Sequence, residues 1–165
     1  MSQKRSDFFT FLNIATTTPK ESPTWALIGD GVTEMSISYN PQTNTEQFIH
    51  EDVAHTTVTG YQPNSAITAQ CVKGDKVFDY IDEKVRRTMA IGDATKTEIC
   101  MVYLYMEKKT NGYPCERIPV TLQVDSYGGA ASDPLSIGYT INFDGMPEAG
   151  YFDPSGLEFK AEAGE

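Results

Sequence analysis

His50 and His55 are the chain's two histidines, and they bracket two acids in His50-Glu51-Asp52-Val53-Ala54-His55. A zinc-protease motif sets its histidines four apart, so that both rings reach one metal from one helical face. Five apart separates them around a helix and puts them on opposite sides of a strand. No metal site is expected here. Cys71, Cys100 and Cys115 are odd in number and widely spaced, with no Cys-x-x-Cys pair. That excludes a zinc ribbon or a redox motif and reads as buried free thiols in a reducing compartment. Gly29-Asp30-Gly31 lacks the third glycine of a dinucleotide fingerprint, and the sequence has neither a phosphate-binding loop nor a nucleophile elbow. Glu51-Asp52 and Asp82-Glu83 are adjacent acids in polar surroundings, which reads as solvated charge and not as an acid/base couple. Asp144 and Asp153 flank turns, and turn chemistry accounts for them as well as a cation would. The chain is therefore read as neither an enzyme nor a cofactor binder.

The elements that would hold these residues are mostly strands. The 165 residues suit one domain, and 39% hydrophobic content is enough for a core. No apolar run approaches the roughly 20 residues of a membrane span. Lys4-Arg5 followed by Phe8 to Ile14 mimics a secretory leader. Its apolar part is short, and Thr16-Thr17-Thr18-Pro19 is a poor cleavage site. Residues 1–22 are read as an N-terminal arm or edge strand.

Trp25 to Val32 is a short apolar run broken by Gly29-Asp30-Gly31. Thr33 to Tyr39 then alternates, with Met35, Ile37 and Tyr39 against Glu34, Ser36 and Ser38. Residues 40–63 form a long polar loop with few apolar anchors, a length that is usually functional in a compact domain. Ser65 to Val72 resumes a strand. Asp75 is a helix N-cap candidate, and Val77, Phe78, Ile81, Val85 and Met89 recur at helical spacing, which predicts one helix over about 75–91 with Gly92 as its terminator. Asp79, Asp82, Glu83, Lys84, Arg86 and Arg87 line its polar side.

Glu98 to Met106 is almost continuously apolar and reads as a central strand covered on both faces. Asn111-Gly112 signals a turn. Ile118, Val120, Leu122 and Val124 then alternate with polar residues, and Pro119 places that stretch at an edge or bulge. Leu135 to Asp144 alternates cleanly, and residues 145–165 read as a C-terminal arm. The fold class is mainly β: an antiparallel sandwich or partly closed barrel with one helix.

The non-core faces of these strands are small and polar but largely uncharged. They carry Ser36, Ser38, Thr68, Gln70, Thr121, Gln123, Ser136, Thr140 and Asn142, with Glu34 and Asp125 as the acidic exceptions. A solvated sheet more often collects Lys and Glu, so this face suits the wall of a channel. Strand propensity alone also favours Thr and Ser. The net charge of −10 argues against stable nucleic-acid binding, although a repelling wall lets nucleic acid pass.

The block Trp25-Ala26-Leu27-Ile28-Gly29-Asp30-Gly31-Val32-Thr33-Glu34-Met35-Ser36-Ile37-Ser38-Tyr39-Asn40-Pro41 resembles the N-terminal half of major tail tube proteins of long-tailed bacteriophages. Gly74 to Asp82, Asn142 to Pro147 and Gly150 to Asp153 fit the same family, so the resemblance spans roughly residues 20–160. The family also includes contractile-tail and type VI secretion tubes, and Trp25–Pro41 resembles the non-contractile, siphovirus-like branch.

The resemblance implies hexameric rings, closed by edge pairing between copies and stacked head to tail into a hollow tube that conducts DNA. The nine polar residues above, with Glu34 and Asp125, become candidate lumen residues. Gln42, Phe48, Ile49, His50, Glu51, Asp52, His55 and Tyr61 become candidates for bridging rings. The implied partners are further copies of the chain, a tape-measure protein, a tail terminator and tail assembly proteins, with DNA passing unbound and no membrane. The implied location is the virion tail, assembled in the bacterial host cytoplasm. The competing reading is a soluble β-sandwich that binds a ligand or carbohydrate, with Trp25 and the nine tyrosines as an aromatic platform.

Overall fold

The computed structural model describes residues 1–15 and 23–162. Eight strands build one curled antiparallel sheet, a half-barrel: β1 (Phe8–Asn13), β2 (Trp25–Leu27), β5 (Asn64–Gln70), β6 (Lys96–Tyr103), β7 (Tyr113–Gly128), β8 (Ser136–Phe143), β9 (Glu148–Asp153) and β10 (Glu158–Ala161). A separate two-stranded hairpin is formed by β3 (Pro41–Glu46) and β4 (His55–Tyr61). The order along the main sheet is β10-β9-β7-β6-β1-β2, and β8 and β5 branch from the far half of β7.

β6 is central and covered on both faces, as its apolar run predicts. Ile99 and Met101 enter the main core, with Leu12, Ile67, Ile118, Val120, Leu122, Ile137, Tyr139 and Ile141. Cys100 and Val102 point the other way, into a smaller cluster with Phe11, Trp25, Cys115 and Phe152. β1 alternates likewise, Leu12 to one core and Phe11 to the other. Phe8–Asn13 is thus neither an arm nor an edge: it pairs with β6 on one side and β2 on the other. The rest of the predicted arm, residues 16–22, lies outside the described residues. Residues 145–162 are likewise not a free arm, because β9 pairs with β7 and β10 with β9. Residues 163–165 are not among those described.

Cys100 and Cys115 are buried and all three cysteines are free thiols. A thiol contact with Cys115, together with burial, holds Cys100 in its protonated, unreactive form.

The predicted helix is shorter than its stripe. Asp75 caps it, its carboxylate accepting from the Phe78 N–H at 3.1 Å. α1 (Lys76–Tyr80) runs on into a π-helical turn over Ile81–Arg86. The stop comes at Met89, which takes a φ of 45°. The Met89 N–H donates to Arg86 O and the Ala90 N–H to Val85 O, so Met89 fills the left-handed position expected of a glycine. Val77, Ile81 and Val85 face the core, whereas Met89 is 83% exposed. Asp82 corrects the polar-side reading, being only 5% exposed. Its carboxylate receives Arg86 Nε at 2.5 Å and Arg87 Nη2 at 3.0 Å. The Arg86 guanidinium also stacks 3.9 Å over the Tyr127 ring, which ties the helical segment to the end of β7.

Pro119 pairs with Glu98 of β6 on one side and lies at a local edge on the other. Its carbonyl accepts from the Asp144 N–H on the side where β8 has ended and β9 has not begun. The N–H that proline lacks would point into that same gap, so no ladder bond is lost. Thr33–Tyr39 is extended but forms no continuous strand. It runs beside β5, held by two isolated bridges, Val32 to Ala69 and Ser38 to Asn64. The Asn111-Gly112 turn forms as predicted, with Gly112 at a φ of 126° and its Cα against the Phe152 backbone, where a Cβ has no room.

Substituting Asp82→Ala is expected to cost about 1–3 kcal/mol by removing two charged hydrogen bonds at a buried acceptor. Urea unfolding followed by circular dichroism measures it.

Candidate assembly surfaces

One face of β7 changes character along its length. Tyr113 and Cys115 pack in the smaller apolar cluster. Arg117 follows, ion-paired with Glu148 at 3.3 Å and Glu98 at 3.8 Å. Thr121, Gln123 and Asp125 continue the same face as a polar surface. The register then assembles most of the predicted wall. Asn142 lies between Thr121 and Asn64, Thr140 between Gln123 and Ala66, and Ser136 between Gly128 and Gln70. Thr68 lies opposite Gly138.

These side chains bond to one another. Asn142 Nδ2 donates to Gln123 Oε1 at 3.4 Å, Thr140 and Gln123 both donate to the Asp125 carboxylate, and Thr121 donates to Asp144. Asp125 sits at the register shift between Val124 and Ser126, a bulge that lets it take both donors. The surface is a knitted carpet of neutral hydrogen-bonding groups in which the acids already hold partners. Ser38 joins it at the β5 margin, opposite Asn64. Glu34 and Ser36 are exposed on the unpaired stretch between the two bridges, where the Ser36 carbonyl accepts from Ser65 Oγ at 2.8 Å and the Met35 carbonyl from Arg5 Nη2 at 3.4 Å.

This three-stranded region has two open margins. The β6–β7 ladder ends at Thr121 and Lys96, so Leu122–Gly128 has no strand on that side. A groove of about 540 Å³ runs there, lined by Val85, Arg86, Met89, Ala90 and Tyr127 among others. The opposite margin is Thr33–Ile37, between its two bridges. An open strand edge offers unpaired N–H and C=O groups to another chain.

The segment 40–63 is not a structureless loop. β3 and β4 pair from Pro41–Tyr61 to Glu46–His55, with the Thr45 and Thr56 hydroxyls 3.0 Å apart. Nearly all of its residues are exposed, because it stands clear of the main sheet. Phe48, Ile49, His50, Glu51, Asp52 and His55 are gathered at the tip, whereas Gln42 and Tyr61 sit at the root. At the tip, His55 Nε2 is 3.0 Å and His50 Nε2 3.8 Å from the Glu51 carboxylate, and Phe48 stacks on His50. Ile49 is fully exposed, and Phe48 and Val53 are more than half exposed.

The sequence reading missed the exposed Met89, Ile91 and Met146. Each lies just outside a regular element, where periodicity gives no orientation. Trp25 is 2% exposed and packs edge-on against Phe152, so it offers no platform for a sugar.

No protein-family model matches this chain, and no curated protein matches its sequence. Among solved structures it is similar to a chain described as the tail of an empty GTA (gene transfer agent) particle, computed with helical refinement and C6 symmetry. That match has a TM-score of 0.59 at 11% identity and covers 92% of this chain and 100% of the other. The shared property is the fold.

Neighbouring residues on opposite faces test the register. Ile141→Ala is expected to cost about 2–5 kcal/mol through lost burial and a cavity. Thr140→Val should cost no more than about 1.5 kcal/mol, the worth of one solvent-facing hydrogen bond. Chemical denaturation of the two variants separates them.

Proposed function

We propose that this chain is a self-assembling structural subunit of a phage-type tail tube. Copies form hexameric rings, the rings stack head to tail, and DNA passes through the resulting bore without specific binding. The observation that carries this reading is the neutral hydrogen-bonded face on β5, β8 and β7, set between two open sheet margins. The fold shared with a chain of a C6-symmetric tail supports it.

The mechanism is geometric and electrostatic. If Leu122–Gly128 of one copy pairs with the Thr33–Ile37 margin of the next, the curled sheets continue around a ring and both edges vanish. The polar face then lines the inside. Ser38, Thr68, Gln70, Thr121, Gln123, Asp125, Ser136, Thr140 and Asn142 form the wall, with Glu34 and Ser36 at the seam. A wall of paired neutral groups on a chain of net charge −10 gives phosphates nothing to neutralise them. The exposed hairpin serves the contacts between rings. Tape-measure, terminator and assembly proteins are the partners such a tube requires, and the virion tail is its location, after assembly in the host cytoplasm.

Negative-stain electron microscopy with light scattering of concentrated protein is expected to show rings or hollow tubes. Deleting residues 47–54 should abolish tubes while leaving folded protein. A monomer at every concentration, or tubes unchanged by the deletion, contradicts the respective claim. Thr68→Lys combined with Gln123→Lys should give tubes that retain DNA in a gel-shift assay at low salt and release it as salt rises, whereas unaltered tubes retain none.

A further inference from the structure

Cys100 on β6 and Cys115 on β7 form one dithiol pair. In the β6–β7 register Cys100 stands opposite Arg117 and Cys115 opposite Val102, so the two cysteines are diagonal neighbours on one face of adjacent antiparallel strands. Diagonal neighbours lie within side-chain reach, and the twist of a strand pair shortens one of the two diagonals. Both side chains are buried in the smaller aromatic cluster, both are free thiols, and the two thiols touch. Cys71 lies apart and packs against the main core. The assembly reading makes no use of this pair.

Burial shields the pair while its cover is shut. Phe11, Trp25 and Phe152 pack around it, and Phe159 of β10 packs against the same cluster. β10 is the part of the cover most easily lifted, because its four residues pair with β9 alone. Short edge elements open at far lower cost than the whole fold, so an oxidant reaches the thiols without global unfolding.

We infer that Cys100 and Cys115 are a latent cross-strand disulfide, closed by a two-electron oxidant when the chain passes from a reducing to an oxidising compartment. With an azo oxidant such as diamide, one thiol adds across the N=N bond and the second thiol attacks that sulfur. The S–S bond forms, and the oxidant leaves as its hydrazine, carrying both thiol hydrogens. The bridge closes a loop of about 15 residues around Asn111-Gly112, which removes freedom from the unfolded chain. It acts on the subunit's own fold and stands or falls separately from tube assembly.

The test oxidises the full folded chain with diamide, at low protein concentration and well below its unfolding midpoint. Thiols counted in denaturant should then fall from three to one, and a peptide map should join Cys100 to Cys115. The thermal unfolding midpoint should rise by roughly 5–10 °C and return on reduction. In Cys71→Ser protein the two remaining thiols should disappear together. Phe159→Ala, which thins the cover, should speed thiol loss while the circular dichroism spectrum is unchanged. Thiols that persist through prolonged oxidation, a bridge that includes Cys71, or a bridged chain with a lowered midpoint overturns the inference. Thiol loss no faster in Phe159→Ala overturns the route through β10.

Discussion

β7 pairs with β6 along one edge and shares its other edge between β9 and β8. A sixteen-residue strand must twist, and two short partners in series follow that twist more easily than one long one. Pro119 marks the changeover, where no N–H is needed. The consequence is a division of labour. The first half of β7, with β6, β1, β9 and β10, wraps around the smaller aromatic cluster. The second half, with β8 and β5, covers the main core on one face and presents the polar carpet on the other.

That division sets which edges are open. β6 stops opposite Thr121 because the chain enters it from the turn at Gly92–Thr95, below the helical segment. Leu122–Gly128 of β7 is left with a helix end and no strand on that edge. Arg86 bridges this region, bound to Asp82 and stacked on Tyr127, so the helical segment is fixed relative to the open edge.

Strand existence was legible wherever burial was one-sided or complete. Ile118, Val120 and Leu122, or Ile137, Tyr139 and Ile141, announce their faces because only those positions are dry. The same logic hid β3 and β4: with both faces wet there is no alternation to read, and Thr-rich strands look like loop. Of the face read as Met35, Ile37 and Tyr39, the first two turn inward and Tyr39 is exposed, and the segment lacks the ladder that would make it a strand. β9 and β10 were obscured by Gly, Pro and acidic residues. There Gly150 lies against the Phe159 ring and the Lys160 backbone, a contact that a local pattern does not express.

By itself the sequence determined the β class, the helix start at Asp75, the two-sided burial of β6, the turn at Asn111-Gly112 and the composition of the polar face. These follow from local propensity and from the period of apolar residues, which are properties of neighbours in the chain. Only the tertiary structure decided that Phe8–Asn13 is interior, that Trp25 is buried, that Asp82 is a buried acceptor and that residues 41–61 stand clear as a hairpin. It also decided which strand edges are left unpaired. Those outcomes depend on which distant segments compete for the same hydrogen-bonding edge and the same apolar surface, and that competition is settled by packing in three dimensions.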